Sequence, residues 1–108
     1  MTKKPVLEDR VRRVPSQFSW VDHRLVRHQY LQRASAQSWG LYLTLVSVGD
    51  EHGLSYYSDR SLMRMLGLTE ETLAACRTQL IRAEVVAYAA PIYQVLSGPD
   101  SPFPGVVK

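Results

Sequence analysis

The sequence has almost no cysteine and no long apolar run. Among its 108 residues Cys76 is the only cysteine, which excludes an intrachain disulfide framework and a zinc site built from cysteines. No apolar stretch approaches the ~20 residues of a membrane span. The first ten residues lack the apolar core of a signal peptide. These absences predict a cytoplasmic protein with no membrane attachment.

Catalytic and metal-binding patterns are also missing. The sequence contains no glycine-rich phosphate loop. His23 and His28 are five residues apart, which puts them on different faces of a helix, and His52 falls in a turn. Cys76 has leucines three residues before and four after it, so we predict a buried structural thiol. We therefore expect a protein that is not an enzyme and holds neither metal nor cofactor.

Composition divides the chain into three parts. Hydrophobic residues make up 45% and charged residues 21%, as in an ordinary globular domain. Residues 1–17 contain two prolines and few apolar side chains, and residues 98–108 are rich in proline and glycine. We predict a basic flexible arm over 1–17, one domain over 18–97 and a Pro/Gly-rich tail over 98–108.

Positive charge is concentrated at the beginning of the chain. The net charge is +3. Residues 1–33 contain eight basic and three acidic side chains, whereas residues 34–108 contain five basic and seven acidic ones. This asymmetry favours a polyanionic partner at the N-terminal third without requiring one.

Apolar periodicity, capping residues and glycines predict the elements of the domain. Asp22 is expected in or next to the first turn of a helix, and Ser58 and Thr69 are expected to cap two later helices. Gly49 and Gly67 are expected to end helices. The predicted order is helix 22–34, helix from Ser35 or Ser38 to Gly49, strand 54–57, helix 59–66, helix 69–84, and a hairpin of strands 85–88 and 92–96.

Two of these helices are joined by a very short connection. The segment from Tyr57 to Thr69 reads as a helix, a glycine turn at Gly67 and the start of a second helix. Apolar side chains fall where two steeply crossing helices bury them: Leu62, Leu66, Leu68, Leu73 and Cys76.

This order of elements resembles a winged helix-turn-helix domain. The resemblance lies in the stretch Gly53–Leu96, where Tyr57–Thr69 resembles the helix-turn-helix and Leu80–Val86 resembles the exit from the recognition helix into the first wing strand. It covers about 60 of the 108 residues if the Trp39–Val48 helix is included. Similar domains occur in small bacterial regulators and in plasmid, phage and transposon proteins. The resemblance implies an α+β, mostly helical fold: a single winged helix-turn-helix domain with a two-stranded C-terminal wing hairpin.

The sequence departs from the family pattern at three places. Met63 stands where a small residue is usual, and Glu84 stands where a glycine often ends the recognition helix. Residues 89–91, Ala-Ala-Pro, occupy a wing tip that often carries Arg or Lys.

The resemblance implies which side chains would contact double-stranded DNA. Glutamate accepts a hydrogen bond from cytosine N4, and threonine can serve several bases. From the two helices, the predicted contacts are Ser58, Arg60, Arg64, Thr69, Glu70, Glu71, Thr72, Ala75, Arg77, Thr78 and Arg82. From the arm, they are Lys3, Lys4, Arg10, Arg12 and Arg13. The implied function is a sequence-specific, homodimeric DNA-binding protein, either a transcriptional regulator or a replication or transposition accessory factor of a mobile element.

The alternative is a winged-helix module that binds protein and not DNA. Charges on the predicted recognition helix sum to −1, and the wing tip has no charge.

The sequence leaves two interpretations open for three aromatic residues. They are either core residues or part of a dimer surface: Trp20, Tyr30 and Trp39. Of Tyr56 and Tyr57, at least one is expected in the core because neighbours in a strand point to opposite faces.

Overall fold

Four α-helices and three short strands follow one another along residues 3–97, the part of the chain that the computed structural model describes. Single 3-10 turns occur at Glu8–Arg10 and Tyr30–Arg33. The fold is α+β and mostly helical, as expected, and the predicted tail over 98–108 lies outside the described residues. The elements are α1 (Arg24–Arg27), α2 (Ala36–Val48), β1 (Leu54–Tyr56), α3 (Asp59–Leu66), α4 (Glu70–Arg82), β2 (Val86–Ala89) and β3 (Ile92–Val95).

Hydroxyl side chains begin the three long helices. The side-chain oxygens of Ser35, Ser58 and Thr69 each accept the backbone N–H three residues on, at 3.1, 3.1 and 3.2 Å. Each bond satisfies one of the donors that a helix N-terminus leaves without a partner. The predicted caps at Ser58 and Thr69 are confirmed, and Ser35 is the cap of α2.

The prediction of one continuous helix over 22–34 is wrong, because two short helical segments occupy this stretch. Gln29 adopts a left-handed conformation with φ of 61° and separates α1 from the 3-10 turn at Tyr30–Arg33. The break lets both Leu25 and Tyr30 enter the core.

Asp22 lies just before α1. Its carboxylate accepts the backbone N–H of Arg24 at 2.9 Å and also binds the Arg24 guanidinium, which lowers the pKa of Asp22.

The three strands form one antiparallel sheet in the order β1-β3-β2. The predicted hairpin of β2 and β3 is confirmed, with Tyr88 opposite Tyr93. β1 pairs with the other side of β3, with Ser55 opposite Tyr93. The sequence predicted β1 without a partner strand.

The core lies between α2, α4 and the inner face of the sheet. α2 packs against α4, β3 and α3. Leu41 and Leu45 of α2 are fully buried, as are Leu73 and Leu80 of α4. Cys76 is also buried, which confirms its structural placement.

A side-chain carboxylate closes the turn between α2 and β1. Asp50 Oδ1 accepts the backbone N–H groups of His52 at 2.8 Å and Leu54 at 2.9 Å. The backbone N–H of Asp50 returns a bond of 2.9 Å to the Leu54 carbonyl. The two bonds to the carboxylate stabilise its ionised form and lower the pKa of Asp50.

We predict that Asp50→Ala flattens the acid dependence of stability. The folded-state pKa of Asp50 lies below its ordinary value. Its contribution is therefore complete above that ordinary value and is lost as pH falls through the lowered pKa. Urea unfolding between about pH 5 and pH 2 should show a smaller decline in the free energy of unfolding for the variant. Asp9→Ala in the exposed arm is the control, and an equal decline in Asp50→Ala and the unmodified protein would contradict the prediction.

Helix α4 ends in a left-handed residue that is not glycine. Glu84 has a φ of 63°. Its backbone N–H bonds the Ile81 carbonyl at 3.0 Å, and the next N–H, of Val85, bonds the Leu80 carbonyl at 3.2 Å. This pair of bonds is a Schellman motif, in which glycine is favoured at the left-handed position. Glu84 therefore occupies a backbone position that favours glycine in this structure.

We predict that Glu84→Gly stabilises the protein. Glycine removes the steric cost of the left-handed backbone, and part of this gain is offset because glycine has more conformational freedom in the unfolded chain. The free energy of unfolding, measured in urea, should rise by up to about 1 kcal/mol. Glu84→Ala removes the same side chain but keeps the steric cost. An equal rise in the free energy of unfolding for Glu84→Ala would contradict this explanation.

Candidate nucleic-acid interface

Helices α3 and α4 form a closely connected pair. Only residues 67–69 separate them, and Gly67 takes a left-handed conformation with φ of 66°. The Leu68 N–H bonds the Met63 carbonyl at 3.1 Å and closes the end of α3. Leu62 and Leu73 are fully buried. Met63 packs against the core from a half-buried position, so the larger residue fits at the helix crossing.

One face of α4 is open to solvent, as the sequence predicted. Thr72 is half-buried. The exposed predicted contacts on this helix and its cap are Thr69, Glu70, Glu71, Ala75, Thr78 and Arg82. These exposed side chains give α4 one solvent-accessible face along its whole length.

The predicted placement of Arg77 on this exposed face is wrong. Its side chain is only 15% exposed. Arg77 Nη1 donates to Asp59 Oδ1 at 2.8 Å and to the Tyr93 hydroxyl at 2.7 Å. The guanidinium carbon lies 4.5 Å from the centre of the Tyr88 ring. Arg77 therefore connects α4 to the start of α3 and to the hairpin.

The helical period explains this position. Arg77 follows Leu73 by four residues and precedes Leu80 by three, so it lies on the buried stripe of α4. Tyr93 is itself buried, and this burial raises the pKa of its hydroxyl although the bond from Arg77 acts in the opposite direction. Bonding to Asp59 raises the pKa of Arg77 further, so the group is a permanent cation.

We predict that Arg77→Ala destabilises the fold. The substitution leaves Tyr93 without its partner and removes a charged hydrogen bond from Asp59, a loss of about 1–3 kcal/mol. Arg82→Ala, on the exposed face of the same helix, should change the free energy of unfolding by less than about 0.5 kcal/mol. Urea unfolding measures both. Equal stability of Arg77→Ala and the unmodified protein would show that the bonded cluster does not hold the helices.

Gln79 has a structural role that the sequence did not indicate. Its side-chain Oε1 accepts the backbone N–H of Ser35 at 2.6 Å and the hydroxyl of Ser38 at 2.8 Å. Gln79 therefore ties α4 to the N-terminus of α2. The partners are more than forty residues apart in sequence, and no local pattern predicts such a pairing.

The hydroxyls of the predicted contacts Ser58 and Thr69 are engaged in their own helices. Besides accepting a backbone N–H, Ser58 donates to the Ser61 hydroxyl at 3.1 Å. Thr69 and Thr72 bond each other through their hydroxyls at 2.9 Å. Contact with another molecule through these oxygens would compete with the caps.

Exposed cations lie on α3 and in the arm. Arg60 and Arg64 are exposed on α3. Every residue from 3 to 20 is exposed, so the described part of the arm does not pack into the core. The arm cations that the sequence singled out are all among these exposed residues: Lys3, Lys4, Arg10, Arg12 and Arg13. At the hairpin tip Ala89, Ala90 and Pro91 are exposed and uncharged.

The aromatic residues divide between core and surface. Tyr30 is buried, and Trp39 is half-buried with its indole N–H bonded to the Leu31 carbonyl at 2.9 Å. Trp20, by contrast, is 72% exposed. Tyr57 packs against the core while Tyr56 is exposed, so one of the two is in the core as expected, although β1 ends at Tyr56 and Tyr57 lies just beyond it.

Comparison with known proteins adds no family to this description. No protein-family model matches the sequence, and neither a curated protein nor a solved structure matches it. Among residues 3–97 no cluster of three or more His, Cys, Asp or Glu side chains is arranged to hold a metal ion. In the same part of the chain no helix is long and apolar enough to cross a membrane.

Proposed function

We propose that this chain is a winged helix-turn-helix protein that binds double-stranded DNA sequence-specifically, as a homodimer. The observation that supports this most directly is the α3–α4 pair with its glycine turn and the open face of α4. The observed order α2-β1-α3-α4-β2-β3 is the order on which the resemblance rests. A role in transcriptional control, or as an accessory factor in replication or transposition of a mobile element, rests on that resemblance alone.

In this proposal α4 enters the major groove and reads bases. Its open face offers groups that suit base edges, since glutamate accepts from cytosine N4 and threonine serves several bases. Glu70, Glu71 and Thr72 lie in the first turn of α4, and Ala75 lies one turn further. Thr78 and Arg82 then lie nearer the DNA backbone.

In this proposal, elements other than α4 supply most of the positive charge that neutralises DNA phosphates. The charge of Arg77 is already paired with Asp59, so Arg82 is the only cation that α4 presents. Arg60 and Arg64 of α3 and the arm cations supply the remaining positive charge. Because phosphate contacts provide much of DNA affinity, one copy would bind weakly, and a homodimer doubles the number of contacts.

The proposal predicts that Arg60→Ala combined with Arg64→Ala weakens DNA binding. The homodimer loses two phosphate contacts in each copy, which should reduce the slope of log affinity against log salt by about 3.6. Fluorescence anisotropy with duplex DNA of the chain's own promoter and of random sequence, at several salt concentrations, measures this slope. Light scattering of the same samples reports whether the bound species has twice the chain mass.

Arg27→Ala is the matched control for this experiment. Arg27 is an exposed arginine on α1, outside the α3–α4 pair, so its loss should leave the slope unchanged. Absence of binding by the unmodified protein at low salt would reject the DNA function. An equal effect of the α1 and α3 substitutions would reject α3 as the phosphate-contacting helix.

A protein-interaction module is the second candidate, favoured by a specific observation. With Arg77 internal, the open charges of α4 are Glu70 and Glu71 against Arg82, and the hairpin tip carries none. A surface of this kind suits a basic or apolar protein surface better than phosphate. Glu70→Lys combined with Glu71→Lys separates the two functions, because the added positive charge would strengthen binding to random-sequence duplex DNA and weaken binding of a basic protein partner.

A further inference from the structure

A cleft of about 570 Å³ opens on the molecule away from the open face of α4. Its walls come from the segment before α1, the C-terminal half of α2, the turn that follows α2 and the end of β3. The floor includes Leu25, Leu45 and Val85, which are buried core residues. A concavity of this volume is in the range that holds small organic molecules.

Three aromatic side chains line this cleft, and two of them remain largely exposed. Phe18 is 68% and Trp20 is 72% exposed, whereas Tyr42 is buried. Two large aromatic side chains beside one concave site expose apolar surface that a bound molecule would cover. The burial of Tyr42 raises the pKa of its hydroxyl, and the nearby charge of Asp22 raises it further.

The charge of the cleft is opposite to that of the whole chain. Asp22, Asp50 and Glu51 line it, and no lysine or arginine is among its described lining residues. Asp22 is paired with Arg24, so Asp50 and Glu51 supply the negative charge. The Glu51 side chain is 86% exposed, and its Oε1 lies 3.6 Å from His52 Nε2. The net charge of the protein is +3, whereas the charged side chains that line this cleft are carboxylates.

We propose that the cleft binds a small organic cation with an apolar or aromatic body. Aromatic ring faces attract cations, and the two carboxylates add attraction of the same sign. The buried floor accepts the apolar body. A volume of about 570 Å³ suits a compact molecule of this kind. The proposal does not depend on DNA binding.

The test uses two probes of the same shape and opposite charge. Tetraphenylphosphonium and tetraphenylborate differ in sign but hardly in size, so a comparison by calorimetry isolates the effect of charge. We expect saturable binding of the phosphonium and at least about tenfold weaker binding of the borate. In the full chain carrying Trp39→Phe, Trp20 is the single tryptophan, and phosphonium should change its fluorescence over the same concentration range.

Three variants locate the bound probe. Trp20→Ala should weaken phosphonium binding, and Glu51→Lys should weaken it by at least about fivefold. Glu71→Lys on α4 makes the same charge change outside the cleft and should have no effect. Glu51 is at the surface, so its substitution tests the site even if Trp20→Ala unfolds, which circular dichroism would reveal.

Three results would overturn the proposal. The first is binding of the borate as tight as that of the phosphonium. The second is an equal effect of Glu51→Lys and Glu71→Lys. The third is a light-scattering mass that falls from two chains to one in Trp20→Ala, because a second copy would then be the occupant of the cleft. None of these results depends on whether DNA is bound.

Discussion

The guanidinium of Arg77 is the interaction on which the arrangement of this domain most depends. It joins the first turn of α3, the middle of α4 and the inner face of the hairpin through Asp59, Tyr93 and the ring of Tyr88. These three elements have few other polar contacts with one another among the described residues. A planar group with several fixed donors suits this position, since it can bond two partners and stack on a third.

The same interaction changes the electrostatic character of the surface. A cation that the sequence counts toward α4 is in fact neutralised inside the fold. Most of the exposed cations lie in the arm and on α3, whereas carboxylates lie at the start of α4 and around the cleft. The modest net charge of the chain therefore conceals a strongly patterned surface.

Local signals predicted most of the elements but not the contacts between them. Ser58, Thr69, Gly67 and the turn at 50–53 were predictable because caps and left-handed glycines act within a few residues. The break at Gln29 was not, because a long-range gain, the burial of Tyr30, outweighs local helix preference there. The bond of Gln79 to Ser35 and the cleft depend on segments distant in sequence. The spacing of Arg77 from Leu73 and Leu80 could have predicted its place on the buried side of α4, but its charge suggested a surface residue.

The hydrogen bonds of the turn at Asp50 also limit how another strand could pair with the exposed edge of β1. Alternate residues of an antiparallel edge strand direct their backbone groups outward, here those of Leu54 and Tyr56. Both outward groups of Leu54 are already bonded to Asp50. Tyr56 alone is left to offer main-chain bonds along this strand. A foreign strand would gain too few bonds here to extend the sheet, so the β1 edge is protected against templated aggregation without a proline or a lysine in the strand.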